Sequence, residues 1–285
     1  MNSLGIGSVL SRAFSTWFEH FTGFFLLALL LTLPLLPLEL APLVFDTGGG
    51  GAGVALVGGL LRSVAGYLLT GVVVLTVFES LKGESGTIME SLQSVKSQLL
   101  SIVGAAIVIS LIVTVGIMLC VIPGIYAALV LAVAIPVIVV ERSGAIDALS
   151  RSNDLTNGHK GQIFVVYAIY FAIMFAVIAV TMVFTFLIFG FGISEDPAAL
   201  AAEGELSTAS IILAALVDHA TDALIVPLQA TLTTVIYHDL RKIKEDVAID
   251  DMFPALDDAG HDGMSSQPEP ANFGSDKPQG QDPVW

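Results

Sequence analysis

The sequence predicts an all-α integral membrane protein. Six transmembrane helices form three hairpins, each preceded by a cytoplasmic amphipathic helix at the membrane interface. Three observations carry this prediction. Of the 285 residues, 55% are hydrophobic and 13% are charged, where soluble domains carry about 25% charged residues. The apolar residues fall in runs long enough to cross hydrocarbon about 30 Å thick, which takes about 20 helical residues. The basic residues collect in alternate loops, as they do in proteins oriented by positive charge.

The first amphipathic stretch is 7–20, with Val9, Leu10, Phe14 and Phe18 at helical spacing. The first span follows over 21–45 and contains Pro34, Pro37 and Pro42. The second span covers 54–78. A second amphipathic stretch, 85–98, presents Ile88, Leu92 and Val95. The apolar run 99–140 is long enough for two helices, and Pro123-Gly124 marks the turn between them. A third amphipathic stretch, 143–155, presents Ile146 and Leu149. The fifth and sixth spans cover 163–191 and 209–237. The three amphipathic stretches read as a repeat of interfacial helix plus hairpin, with a period of roughly 70 residues. Pro136 and Pro227 fall inside spans, where each removes a backbone donor and predicts a kink.

Orientation is set by the bases. Arg12, Lys82, Lys96, Arg142, Arg151, Lys160, Arg241, Lys242 and Lys244 lie in the connections assigned to the cytoplasm. The opposite connections, 46–53 and 192–208, hold acids and no base. Both termini are therefore expected in the cytoplasm, in a plasma or bacterial inner membrane. The expected domains are a membrane part, 1–245, and an acidic tail, 246–285. The tail's composition cannot bury enough apolar surface to offset ordering, so it reads as disordered. Ten of the 26 acids lie from Glu245 onward, so the net charge of −15 belongs mainly to the tail and argues against nucleic acid as a partner. Cys120 is the single cysteine, which excludes an internal disulfide.

Two groups of residues are candidates for function. The first is a cytoplasmic motif after the fourth span: Glu141, Arg142, Asp147, Arg151, Asn153, Thr156 and Gly158. Ser143 is placed to cap its helix, and Asn157 or Gly158 suits the left-handed residue at its end. Asp147 and Arg151 stand four residues apart on one face. The motif reads either as a self-satisfied interfacial helix or as a site for phosphate or a partner. The second group lies within the spans: Arg62, Asp218, His219, Asp222 and Gln229. Ionisable groups at membrane depth are costly and face protein or water. Arg62 lies roughly 24 Å along its helix from Phe78, and Asp222 roughly 22 Å from Tyr237, at 1.5 Å per residue. Their depths match. Asp218, Asp222, Gln229 and Thr233 continue one polar stripe, and the small residues Gly59, Ser63 and Gly66 on the second span permit close approach. An Arg62–Asp222 pair is expected, either as a structural lock or as part of a polar pathway.

The turn Pro123-Gly124-Ile125-Tyr126, the run from Ala134-Ile135-Pro136 to Glu141-Arg142, the segment Ala148-Leu149-Ser150-Arg151-Ser152 with Leu155-Thr156-Asn157-Gly158, and the ending Tyr237-His238-Asp239-Leu240-Arg241 carry a resemblance. Together they resemble the membrane domain of the glycerophosphoryl diester phosphodiesterase family, over nearly all of 1–245. The resemblance implies a stand-alone membrane domain, since the segment beyond residue 245 is too short for a barrel enzyme, and it supplies no catalytic residue. No catalytic, cofactor-binding or metal-ligand motif is found in the sequence. The expected partners are membrane lipids and a protein docked on the cytoplasmic helices or the tail. The expected function is a non-enzymatic membrane protein that organises or regulates membrane components or docks a partner. The alternative is a small-solute or proton-linked transporter using the polar stripe of the sixth span with Arg62.

Overall fold

The structure, a computed structural model, describes residues 4–41, 50–83, 88–190 and 208–252. Among these the chain is helical and contains no strand. Six stretches are long and apolar enough to cross a membrane: Phe21–Glu39, Gly53–Leu81, Leu99–Leu119, Val121–Glu141, Lys160–Leu187 and Ile211–Glu245. The chain divides into two compact units, Met1–Ile243 and Lys244–Trp285. The second is described only as far as Met252, as helix. Residues 253–285, most of the expected tail, lie outside the described residues, as do 42–49 and 191–207.

Helix α1 (Ile6–Glu19) leads into α2 (Phe21–Thr32), a 3-10 turn at Leu33–Leu35 and α3 (Leu36–Glu39). Pro34 and Pro37 sit in the first turns of the last two pieces. A missing N–H leaves no gap there, so the prolines segment the span without ending it. Helix α4 (Gly50–Leu81) is followed by α5 (Ile88–Lys96), which packs back along it. The Thr76 hydroxyl donates to Ser91 Oγ at 3.1 Å. Val95 seats against Gly71, where a Cβ would come within 2.5 Å of its methyl.

Helices α6 (Leu99–Leu119) and α7 (Val121–Val130) join through one extended residue, Cys120, at φ −171 and ψ 144. The break therefore comes at Cys120, three residues before the expected Pro123-Gly124 turn. Pro123 is the third residue of α7, a position that asks for no backbone donor, so it opens a helix. Gly124 answers a packing need. A Cβ there would lie 2.6 Å from the backbone nitrogen of Ile117.

A second break, at Leu131–Val133, separates α7 from α8 (Ala134–Glu141). Pro136 thus falls in the first turn of α8 and starts a helix, where the sequence suggested a kink inside one. The break leaves the Val130 carbonyl at a helix end without its intrahelical donor. Helix α9 (Ala145–Thr156) supplies a replacement: Ser152 Oγ donates to it at 2.8 Å, and Thr156 Oγ1 stands 3.3 Å from it while lying closer, at 2.9 Å, to the Ser152 carbonyl. Both side chains are fully buried. Ser152→Ala is expected to destabilise the protein by about 1 kcal/mol, since the Thr156 hydroxyl can turn from the Ser152 carbonyl to that of Val130. Unfolding in detergent checks this, and Ser150→Ala on the exposed face of α9 is the control, with no change expected.

Gly144 is the N-cap of α9, with no side-chain cap bond, so Ser143 does not serve as the expected cap. At the other end Asn157 is extended and Gly158 takes the left-handed conformation at φ +87. Helices α10 (Lys160–Gly190) and α11 (Thr208–Met252) complete the described chain. Pro227 does lie inside α11, and Thr231 Oγ1 donates to its carbonyl at 2.8 Å. Helix α11 runs past residue 245, where the composition changes.

The core gathers Val72, Val73, Val74 and Val77 of α4, Val137–Val139 of α8 and Val235–Tyr237 of α11, all essentially buried. Large apolar side chains lie exposed along α6 and α10, among them Leu111, Met118, Phe175, Val180 and Phe186. A surface this apolar is costly in water and suits hydrocarbon.

Candidate functional site

The intramembrane charges meet. Arg62 projects from α4 between α3 and α11. Its guanidinium donates to Asp222 through Nη2, to Asp218 through the same nitrogen at 2.8 Å, and to Glu39 through Nη1 at 3.2 Å. The Arg62–Asp222 pair is the one expected from matched depth. Asp218 joins it because residues four apart on α11 share a face. Glu39 was not among the expected residues. It ends α3, and its carboxylate is the most shielded of the three, 17% exposed against 45% for Asp222 and 63% for Asp218. A signal for it was present: Glu39 is the single charged residue in 21–45. The close approach of α3 to α4 depends on Gly58, where a Cβ would come within 3.1 Å of the Glu39 backbone nitrogen.

His219 is fully buried beside this cluster. Its Nδ1 lies 2.9 Å from the Ala215 carbonyl, which can only accept, so Nδ1 carries hydrogen. Its Nε2 faces Glu39 Oε2 at 3.9 Å. Neither His219 Nε2 nor Glu39 Oε1 has a hydrogen-bond partner, and both are buried.

Beside this cluster, along α4 and α11, a cavity of about 710 Å³ begins. Its lining starts at Ser63, next to Arg62, continues through Gly66, and on α11 starts at Val226, four residues from Asp222. Its walls are mostly aliphatic and aromatic, from α4, α6, α7, α8, α10 and α11. Its polar groups come mainly from Gln229, Thr70 and the Tyr167–Thr233 pair. Thr233 donates to the Gln229 carbonyl at 2.7 Å, so the Tyr167 hydroxyl is the donor in its 3.2 Å contact with Thr233. Ile117, Ile125, Phe164 and Phe171 also line the cavity and are 41–63% exposed on the apolar outer surface. The cavity rim thus borders the surface that suits hydrocarbon. Gln229 belongs to this cavity, where the sequence placed it only on a stripe continuing from Asp222.

The cytoplasmic motif separates into two sets. Glu141 accepts from the Tyr237 hydroxyl at 2.9 Å and from Arg151 Nε at 3.4 Å, and Arg241 donates to the Tyr237 oxygen at 3.4 Å. These residues tie α8, α9 and α11 together, and the buried Thr156 beside the Val130 carbonyl adds the end of α7. Asp147, Asn153 and Gly158 are exposed, as is Arg142, which closes α8 in the left-handed conformation at φ 52. Arg151 thus reaches Glu141 on α8 in addition to sharing a face with Asp147. Of the motif, Glu141, Arg151 and Thr156 thus enter a network that packs helices together. A separate ion pair, Arg12–Asp239, joins α1 to α11. Among the described residues no group of three or more His, Cys, Asp or Glu is arranged to hold a metal ion.

Residues 108–240 match the family described as Domain of unknown function (DUF7847). The matched stretch contains Asp218, His219, Asp222 and most of the cavity wall, and it leaves Glu39 and Arg62 outside. No curated protein matches the chain, and no solved structure does.

Proposed function

We propose that the chain is a non-enzymatic, multi-pass protein of a cell membrane that binds a membrane-dissolved amphiphile in the cavity beside the Arg62 cluster. One observation carries the reading. The cavity is of ligand size, lined by apolar groups with a few convergent polar ones, and its rim borders the hydrocarbon-facing surface. Sites for small molecules usually measure about 300–1,000 Å³ and have this mixed lining. A lipid-like molecule could enter from the bilayer without crossing water. Binding of this kind is the concrete form of organising or regulating membrane components. In the same reading the spans form three hairpins, α1, α5 and α9 lie toward the cytoplasm as interfacial helices, and both termini are cytoplasmic. The basic loops support that orientation. The resemblance to the membrane domain of the glycerophosphoryl diester phosphodiesterase family agrees with a helical membrane domain of this kind.

The test is native mass spectrometry of the full chain released from membranes in mild detergent. A Cβ at Gly66 would meet nothing within 4 Å, so Gly66→Phe fills the cavity without a backbone clash. The natural protein is expected to retain a lipid-like adduct, and Gly66→Phe to lose it while melting at an unchanged temperature. Equal adducts on both proteins, or none on either, would remove the cavity as the binding site.

A second reading has its own support. Asp222, Val226, Gln229 and Thr233 form one continuous face from the ion cluster along the cavity, a course suited to moving a polar solute or proton. Proteoliposome flux abolished by Gln229→Leu, in protein that still folds, would favour transport.

A further inference from the structure

The charges around the cavity select its ligand. Three carboxylates, Glu39, Asp218 and Asp222, share the single guanidinium of Arg62. With a neutral imidazole at His219, the cluster carries two formal negative charges in excess. Two buried acceptor atoms there also lack a donor: Glu39 Oε1 and His219 Nε2. The His219 ring donates through Nδ1 to the Ala215 carbonyl, so in the neutral ring Nε2 offers only a lone pair. Buried acceptors without donors are uncommon, and each calls for a hydrogen-bonding partner. Arg62 reaches Glu39 through Oε2 and leaves Oε1 and His219 Nε2 unserved. What fits is a group that is both positively charged and rich in N–H donors.

We infer that Glu39, Asp218, Asp222 and His219 form a binding site for the ammonium head of an amphiphile whose apolar chain occupies the adjacent cavity. The inference rests on the cavity reading above and names its ligand class. The geometry places head and chain in order. The cavity lining starts at Ser63, next to Arg62, on α4, and at Val226, one turn or roughly 6 Å from Asp222, on α11. A head at the cluster therefore leaves its chain directed toward Gly66, Val226 and Gln229. Asp218 and Asp222 are half-exposed and provide the entry side, while Glu39 and His219 are the shielded inner side. An anionic head would meet the same charges as repulsion, so the site discriminates by sign as well as by shape.

The experiment compares three probes with the same chain, dodecylamine, dodecanol and laurate, on the full-length protein in neutral detergent by thermal-shift titration. The amine is expected to bind about tenfold tighter than the alcohol, as one added charge contact at a partly exposed site allows, and laurate weaker than both. The variant Asp218→Asn with Asp222→Asn should bring the amine to the alcohol's affinity while the alcohol binds as before. Should that variant not fold, Asp218→Asn alone, at the most exposed of the carboxylates, should lower the amine's advantage by about threefold. An amine that binds no tighter than the alcohol, or an advantage that survives loss of the carboxylates, overturns the ammonium site and leaves the cavity standing. Failure of all three probes, with Gly66→Phe indistinguishable from the natural protein, overturns the cavity reading and the ammonium site with it.

Discussion

Arg62→Ala is expected to be among the most destabilising single substitutions in this chain. The change strands three carboxylates at once. Removing one partner of a buried pair typically costs about 3–5 kcal/mol, much of it from the charge left behind. Asp218 and Asp222 are 63% and 45% uncovered by protein and can turn away once Arg62 is gone, so they contribute less to the loss. Glu39 is the shielded member, and its stranded carboxylate sets the expected total at about 3 kcal/mol, the lower end of that range. Unfolding in detergent measures it. Two companions give the result its meaning. Arg62→Leu with Glu39→Leu should recover most of the loss, because an apolar pair is well accommodated between α3 and α4. Arg62→Lys should fall between, since one ammonium cannot reproduce the fork that serves all three carboxylates. Additive losses for Arg62 and Glu39 in a double-mutant cycle would mean that they do not interact.

Gly124→Ala is expected to cost about as much, for a steric reason. The new Cβ would stand 2.6 Å from the backbone nitrogen and 2.9 Å from the Cα of Ile117. Backbone atoms cannot turn aside as a side-chain end can, so α6 and α7 must separate where they are closest. Overpacking typically costs about 1–3 kcal/mol, and a backbone clash belongs at the upper end. Gly104→Ala, on the same helix pair's α6, meets nothing within 4 Å. It should stabilise the protein by up to about 1 kcal/mol through helix propensity alone. Opposite signs at these two glycines, read as melting temperatures, are the expected result. Two neutral substitutions would contradict the close α6–α7 approach.

The spans were legible because hydrocarbon imposes a length and a composition on every helix that crosses it. Their internal breaks were less so. Pro123-Gly124 looks like a turn, yet proline is equally at home in the first turn of a helix, and Cys120 carries no signal of the extended residue it provides. Pro136 misled in the same way, since the break that precedes it lies in the ordinary apolar residues Leu131–Val133. The Arg62–Asp222 pair could be read from depth and face, because helical rise converts sequence separation into distance. Glu39 escaped that arithmetic. Its span contains three prolines, so its depth could not be counted from one uninterrupted helix. A lone acid in a long apolar run was nonetheless as much in need of a partner as Arg62. The cavity has no sequence signature at all. It depends on how side chains from six helices fail to fill the space among them.

A density map of the full-length protein, purified in mild detergent without added lipid, would show whether the cavity holds an amphiphile. Elongated density is expected along Gly66, Val226 and Gln229, ending within hydrogen-bond distance of Asp222 or Glu39. A cavity that is closed by its own side chains, or that holds only separate water-sized peaks, would contradict it.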